Sequence, residues 1–226
     1  MVLLIAPLVA VLAFAWAIVV RRRATLPAAI TIVDPEAPTI DADGAARSVQ
    51  AAELRIPSPA LLALWSPASL ERLARTYWRF LERSSLGLIR VAYSEHDRAV
   101  VLLCRPFVLI GFDPPAYELT AERGVVRWQI RGGALVSHRQ DRRGGFLQID
   151  VRRLPDPDPD YQAIHVEISV LSFYPAIANA ISPRLYAATQ SAIHVLVTHG
   201  FLRSLARLDL AQSRTGRFRG QGGGAQ

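Results

Sequence analysis

The spacing of apolar residues in the second half of the chain predicts an antiparallel sheet. Apolar and polar residues alternate over residues 126–130, 147–151 and 164–170, which is typical of strands with one face in water. Apolar stretches over residues 89–93 and 99–112 indicate further strands before them. The connections between the three later strands are too short for a helical crossover, so these strands should pair antiparallel as a meander.

Ser-Pro pairs mark the predicted helix starts, because serine caps a helix and proline suits the first helical position. Ser66-Pro67 begins an amphipathic helix predicted to end near Arg83, with apolar residues at three-four spacing on one face. Ser58-Pro59 indicates a short helix before it. Ser182-Pro183 begins a broadly apolar helix predicted to end near Leu210, which at ~1.5 Å per residue is long enough to cross the sheet.

The longest apolar run is at the N-terminus. Residues 2–20 include no charged or polar residue, and Arg21, Arg22 and Arg23 follow directly. This length matches the ~30 Å hydrocarbon core of a bilayer, so the run predicts a transmembrane helix. Because arginine is concentrated on the cytoplasmic flank, we expect a single-pass protein of the cell membrane with its N-terminus outside and its C-terminal domain cytoplasmic. The alternatives are a buried core helix and a cleaved signal peptide, although a signal peptide carries its positive charge before the apolar run.

The domain layout follows from the membrane helix, and the composition of the chain excludes several kinds of chemistry. The acidic stretch from Asp34 to Arg55 has little to bury, whereas residues 28–33 could form a first strand. One cysteine and no lysine exclude an intrachain disulfide, a Schiff-base lysine and a P-loop lysine. We expect four parts: an anchor with its arginine stop at 1–23, a tether at 24–57, an α+β domain at 58–211, and a disordered Gly- and Arg-rich tail at 212–226.

Three motif matches suggest ions or nucleotides, and each fails on its context. Asp156 and Glu167 have the spacing of an EF-hand calcium loop, but Tyr161 stands where that loop needs glycine. His194 and His199 are five residues apart and so lie on different faces of a helix, unlike zinc-binding pairs. The glycine pattern at the C-terminus lacks the strand and helix of a dinucleotide site. We therefore expect no metal, no cofactor and no nucleic-acid partner.

No catalytic residues are predicted. His165 and Glu167 share the wet strand face with Asp150 and Arg152, and residues so arranged more often form cross-strand pairs than an acid-base site. The chain also has no serine nucleophile elbow and no zinc-protease motif. A cyclase-like or hydrolytic enzyme is therefore the least favoured function.

The order of elements resembles that of the START-like superfamily, which includes polyketide cyclase and lipid-transfer relatives. An early amphipathic helix, an antiparallel meander with a bend at Gly132-Gly133, and a long C-terminal helix across the concave face form its helix-grip layout. The resemblance covers residues 61–210. It implies an α+β fold with a curved antiparallel sheet, and members of the superfamily often hold a hydrophobic ligand between helix and sheet. Fold alone does not establish function.

The first hypothesis is a membrane-anchored, non-catalytic domain that binds a hydrophobic small molecule or lipid between the C-terminal helix and the sheet. Its candidate lining residues, each of which could equally be plain core, are Trp128, Ile130, Ile149, Ile168, Leu196 and Phe201. Its candidates for contact with anionic lipid are Arg21, Arg22, Arg23, Arg139, Arg142 and Arg143. The alternative is a membrane-tethered scaffold with a filled core that holds a protein partner. An apolar pocket of roughly 300 Å³ or more would favour ligand binding.

Overall fold

The computed structural model of the chain describes residues 28–33, 39–41, 43–93, 98–103, 107–137, 144–174, 192–208 and 210. The predicted transmembrane helix and the predicted tail lie outside these residues, as do Arg21–Arg23, Arg139, Arg142, Arg143 and the side chain of Leu196. Among the described residues, no helix is both long enough and apolar enough to cross a membrane.

The described part of the chain forms an α+β domain. In chain order its elements are β1 Ala29–Val33, β2 Thr39–Ile40, β3 Ala46–Pro57, α1 Ser58–Leu64, α2 Pro67–Ser84, β4 Ile89–Tyr93, β5 Arg98–Leu102, β6 Val108–Phe112, β7 Ala116–Leu119, β8 Arg123–Gly132, β9 Phe146–Leu154, β10 Tyr161–Phe173 and α3 Ala192–Leu205. The strands pair antiparallel in the order β1-β3-β10-β9-β8-β6-β5-β4, with β2 on β3 and β7 on β8. The predicted α+β class and antiparallel sheet are confirmed, and the arrangement is consistent with a helix grip.

Helix α2 agrees closely with its prediction. It runs over Pro67–Ser84, and the Oγ of Ser66 accepts a hydrogen bond from the N–H of Ser69 at 3.2 Å, so serine is the cap. Proline follows at the first helical position, as its fixed φ favours. The last helix is described from Ala192, so its predicted start at Ser182 lies outside the described residues.

Aromatic side chains fill the space between the helices and the sheet. Trp78 of α2 meets Trp128 of β8 edge to face, with ring centroids 5.1 Å apart. Tyr77 of α2 meets Phe201 of α3 in the same way at 5.3 Å. All four side chains are buried. Aromatic pairs of this geometry stabilise a core beyond the area that they bury, so the centre of the domain is filled.

Residues 46–57 form strand β3, whereas the sequence predicted a tether for this stretch. The prediction was wrong because Ser48 and Gln50 are polar although they lie buried on the inner face. They interrupt the alternation of apolar and polar residues that would have indicated a strand. Gln50 is accommodated because its Oε1 is hydrogen-bonded to Nε2 of His199 on α3, at 2.7 Å. The folded domain therefore includes β1 and β3, and the strand suggested for residues 28–33 is β1.

The sheet bends where β6 approaches the end of β8. The register of their pairing shifts between Gly111 and Phe112, and Gly133 has a φ of 134°. A Cβ on Gly133 would lie 2.4 Å from the carbonyl oxygen of Leu109, so a larger residue does not fit. The bend predicted from the Gly132-Gly133 pair is thus a close approach of two backbones.

The domain has two ends, defined by the direction of β3. At the elbow end, β3 finishes at Pro57, opposite Tyr161 of β10, and α1 meets α2. At the far end, β3 begins at Ala46, opposite Phe173. Strand β3 has 12 residues, and at about 3.3 Å per residue the two ends are roughly 36 Å apart.

Candidate functional site

An apolar cleft opens at the elbow end, between the helices and the inner face of the sheet. Its cavity volume is about 80 Å³, and its walls are almost wholly apolar. The polar exceptions are Ser66 and Ser69 at the start of α2. Strands β3, β9 and β10 and all three helices contribute apolar lining residues, among them Leu54, Val151, Val166, Leu64, Leu70 and Leu205.

Contacts with two turns of the sheet hold the α1–α2 elbow, which forms one wall of the cleft. Trp65, between the helices, donates from Nε1 to the carbonyl of Thr120 at 2.9 Å. The guanidinium of Arg153 lies 5.5 Å from the ring centroid of Trp65. Ser58 begins α1 and does not cap it as predicted, because its hydroxyl donates to the carbonyl of Pro159 at 3.0 Å. The wall is therefore fastened to the β7–β8 and β9–β10 turns.

Ala28 is bonded to the residue that follows α3, and Leu210 is bonded to α2, beside the cleft. The N–H of Ala28 donates to the carbonyl of Ala206 at 3.2 Å, immediately after α3, and Ala28 is buried. Arg72 of α2 donates from Nη2 to the carbonyl of Leu210 at 2.7 Å. Leu210 and its neighbour Leu208 both line the cleft. The chain therefore enters the described domain at the elbow end, close to the mouth of the cleft.

The structure puts the predicted lining residues in the packed core and not along this cleft. The five whose side chains are described are buried, and none of them lines the cleft: Trp128, Ile130, Ile149, Ile168 and Phe201. The physical reason is the aromatic cluster around Trp78, which fills the middle of the inner face. The candidate lining therefore moves to the aliphatic residues at the elbow end.

A smaller, polar pocket lies on the other side of α2. Its cavity volume is about 20 Å³, which is room for about one water molecule. Glu71, Arg75, Tyr93 and Arg98 border it, together with Trp128. Burial raises the pKa of Tyr93, although a hydrogen bond and the positive charge of Arg75 oppose the rise. The polar groups are engaged with the protein itself, and the pocket has no room for a substrate.

The acidic and basic residues share the outer sheet face, as the sequence predicted, but residues of like charge lie directly opposite each other, and the ion pairs join Asp150 to Arg123 of β8 and to Arg152 of its own strand. Glu167 lies opposite Asp150, and His165 opposite Arg152. The side chain of Asp150 is 1% exposed, and Arg123 Nη2 lies 2.5 Å from its Oδ2. Arg152 Nε lies 3.2 Å from its Oδ1. Burial alone would raise the pKa of Asp150, but hydrogen bonds from the two guanidinium groups outweigh burial and lower it. Asp150 is therefore an ionised structural group.

Asp156 of the calcium match and His199 of the zinc match make contacts within the protein. Asp156 Oδ2 accepts a hydrogen bond from Arg55 Nε at 2.8 Å, which lowers the pKa of Asp156, and Glu167 lies within β10. Burial lowers the pKa of His199, and the charge of Arg203 adds to this. In the part of the chain that the structure describes, no group of three or more His, Cys, Asp or Glu could hold a metal ion.

Sequence reasoning missed the cleft because its walls come from distant segments. Leu54 and Ile56 belong to the stretch predicted as a tether, although their alternation with Glu53 and Arg55 is a strand signal. Two Ser-Pro pairs eight residues apart predicted two consecutive helices, and the tryptophan between them, Trp65, marked their junction. That combination was the available sign of a structured elbow.

Comparison with protein-family models and with curated proteins finds no match. Solved structures that are similar to this chain include norcoclaurine synthase from Thalictrum flavum, at 12% identity over 70% of this chain and 88% of that chain, with a TM-score of 0.31. Human STARD10 is similar at 10% identity over 76% of this chain and 72% of that chain, with a TM-score of 0.32. CalU16 from Micromonospora echinospora is similar at 9% identity over 80% of this chain and 98% of that chain, with a TM-score of 0.27. At such values, function must be argued from this chain's own geometry.

Proposed function

We propose that this protein is a membrane-anchored, non-catalytic domain that binds one apolar chain, such as the acyl chain of a lipid, in the cleft at the elbow end. The observation that supports this most is the position of the cleft. The almost wholly apolar cavity is lined by Leu205 and Leu208, which flank the residue whose carbonyl accepts a hydrogen bond from Ala28, and Ala28 is the described residue nearest in sequence to the predicted anchor. Removal of apolar surface from water is the main source of affinity for such a ligand.

The volume of the cleft limits the kind of ligand. About 80 Å³ is well below the roughly 300–1,000 Å³ of pockets that enclose drug-sized molecules. An engineered apolar cavity of about 150 Å³ binds one benzene molecule, so a cavity of roughly half that volume accepts a few groups of methylene size and not a ring system. The end of one alkyl chain fits this limit, with the rest of the lipid outside the cleft.

The predicted anchor would place the cleft next to a source of lipid. Residues 21–27, seven in number, separate the predicted transmembrane helix from Ala28, and seven extended residues span at most about 25 Å. With Arg21, Arg22 and Arg23 on the cytoplasmic side, the mouth of the cleft would lie close to the anionic inner leaflet. A lipid tail would then reach the cleft with little exposure to water.

The filled core favours a second candidate function, a membrane-tethered scaffold that holds a protein partner. The largest inward side chains, including Trp128 and Phe201, are fully buried, and the cleft is smaller than the roughly 300 Å³ expected of a ligand pocket. In this alternative the polar outer face of the sheet would contact the partner, and the cleft would take up no lipid.

Two neighbouring leucines of α1 allow a matched test. Leu64 lines the cleft, whereas Leu62 does not and is 62% exposed. In Leu64→Trp the larger side chain should occupy the cavity. After release of the full-length protein from detergent in native mass spectrometry, we expect this variant to retain about tenfold less lipid than the parent, or less still. Leu62→Trp makes the same change in size and should leave lipid retention unchanged.

Lipid lost from Leu64→Trp but not from Leu62→Trp supports the cleft as the binding site. Equal retention by both variants overturns it and favours the scaffold. Leu208→Trp approaches the cavity from the α3 side and serves as the second blocking variant if Leu64→Trp unfolds at a lower temperature than the parent.

A further inference from the structure

Exposed apolar side chains are concentrated at the far end of the domain. Among the described residues, six large hydrophobic side chains are exposed. Five of them lie at the far end, where the strand registers from β3 across β10, β9, β8, β6 and β5 put the start of β4, the end of β5 and the start of β6. The most exposed are Leu86 at 66%, Phe107 at 62% and Leu103 at 52%. We define the leucine surface as Leu86, Leu88, Leu102, Leu103 and Phe107. Grouped exposure of this kind marks an interaction site, whereas single exposed leucines do not.

Backbone hydrogen bonds make the leucine surface continuous. The N–H of Leu103 donates to the carbonyl of Leu88 at 2.7 Å, and the N–H of Leu102 donates to the carbonyl of Phe107 at 2.9 Å. These bonds join the turn between α2 and β4 to the hairpin between β5 and β6. Leu86 lies in the first of these turns, so the five side chains come from two adjoining turns at one edge of the sheet.

Two of the exposed leucines adopt a backbone conformation that leucine disfavours. Leu86 has a φ of 53° and Leu103 a φ of 62°, in the left-handed region that glycine and asparagine occupy most easily. Leucine at these positions costs stability through the backbone and gains none through burial of its side chain. Strained residues at turn tips are typical of functional sites, so these side chains point to a role in binding.

The charges around the leucine surface are positive. Residues 83–93 include Arg83 and Arg90, both exposed, and no acidic residue. The nearby Glu82 already accepts a hydrogen bond from the N–H of Val91 at 2.9 Å. Each exposed arginine beside a membrane attracts anionic headgroups, and leucine and phenylalanine side chains enter the boundary of the acyl chains.

We propose that the leucine surface docks the domain onto an anionic lipid bilayer. Apolar turn tips beside arginines fit a fluid bilayer better than a protein partner, because leucine is under-represented among residues that dominate the energy of protein interfaces. The surface lies at the far end, opposite the end at which Ala28 enters. If the proposed anchor holds the elbow end at one membrane, the leucine surface faces away from it and binds a second membrane.

The test is a vesicle-capture experiment with the full-length protein. The protein is reconstituted in phosphatidylcholine vesicles, and labelled target vesicles are added with or without phosphatidylserine. We expect capture of the phosphatidylserine vesicles, weaker capture at high salt, and little capture of neutral targets. Leu103→Asn should lower capture about tenfold, because it removes one inserting side chain. Its thermal stability should be equal or higher, because asparagine tolerates the positive φ.

Leu62→Asn is the matched control, since it makes the same substitution at a leucine that is at least as exposed as Leu103 but lies on α1 at the elbow end. It should leave capture unchanged. Unchanged capture by Leu103→Asn, equal capture of neutral targets, or an equal loss in Leu62→Asn overturns the proposal. A dimer that Leu103→Asn disrupts, without any vesicle capture, also overturns it and assigns the surface to a second copy.

Failure of the anchor can be told apart from failure of the leucine surface. If an alkaline wash removes the protein from the phosphatidylcholine vesicles, the anchor part of the proposed function is wrong. The released protein is then floated directly with phosphatidylserine vesicles, where docking still requires Leu103 and Phe107. Absence of docking in that flotation overturns the leucine surface as a membrane site.

Discussion

At Gly200 helix α3 packs tightly on Phe80 of α2, and replacement of this glycine by alanine tests that packing. A Cβ on Gly200 would lie 2.7 Å from Cζ and 3.1 Å from Cε1 of Phe80. Both distances are shorter than an ordinary contact between carbon atoms, so either the ring of Phe80 or the helix must move. Gly200 is buried, and Phe80 also packs on Phe201 at a centroid distance of 6.3 Å.

Helix propensity and steric crowding act in opposite directions on the stability of Gly200→Ala. Alanine is about 1 kcal/mol more favourable than glycine inside a helix, whereas forcing an extra carbon into a packed site costs about 1–3 kcal/mol. We therefore expect Gly200→Ala to lower the free energy of unfolding by up to about 2 kcal/mol. With Phe80→Ala in place the steric cost disappears, and the same substitution should stabilise by about 1 kcal/mol.

The assay is a double-mutant cycle on the full-length protein in mild detergent, with urea unfolding followed by tryptophan fluorescence. The effect of Gly200→Ala on the free energy of unfolding should differ between the parent and the Phe80→Ala variant, and the difference corresponds to a coupling energy of about 1–3 kcal/mol between positions 80 and 200. If Gly200→Ala stabilises the parent by the full helical gain, or if the two substitutions are additive, α3 does not pack on Phe80 as described.

Two further predictions concern the sheet. Hydrogen bonds from Arg123 and Arg152 outweigh the effect of burial and lower the pKa of Asp150 in the folded state, so its contribution to stability is present at neutral pH and is lost as the pH falls through that lowered pKa. Asp150→Asn should therefore reduce the free energy of unfolding at pH 7 by about 1–2 kcal/mol, a range that is kept low because both arginines are partly solvated. It should also flatten the acid side of a plot of stability against pH. An unchanged plot would contradict the ion pairs of Asp150 with the two arginines. Trp128→Ala should cost about 3–5 kcal/mol in the same urea assay, because it removes a fully buried ring that packs on Trp78 and leaves a cavity. A cost below about 1 kcal/mol would mean that Trp128 lines an open space.

The structure agrees with the sequence where local periodicity decides the outcome. Helix α2 and strands β8, β9 and β10 each carry their own pattern, and the apolar residues of β9 and β10 face inward as predicted. The same alternation places Glu167 and Asp150 on one face of the sheet, where they lie opposite each other on neighbouring strands. These elements could be predicted because each buries its own amphipathic face.

Strand β3 and the cleft depend on contacts between distant residues, and the sequence alone did not predict them. Gln50 is buried because His199 bonds to it from 149 residues away, and such a partner is not visible in a local pattern. Alternation also shows which side of a strand faces inward but not which inward residues an aromatic cluster covers. Alternation therefore predicts Trp128 as a lining residue, whereas Leu64 and Leu205 line the cleft.

The most direct test of the acyl-chain cleft is photocrosslinking with a lipid whose acyl chain carries a diazirine at its end. The full-length protein is irradiated in nanodiscs that contain this lipid, and the labelled peptides are mapped by mass spectrometry. The proposal predicts labels at the α1–α2 elbow and near Leu208, with loss of these labels in Leu64→Trp but not in Leu62→Trp. Labels confined to the predicted transmembrane helix or to the leucine surface would contradict it, because the acyl chain would then never enter the cleft.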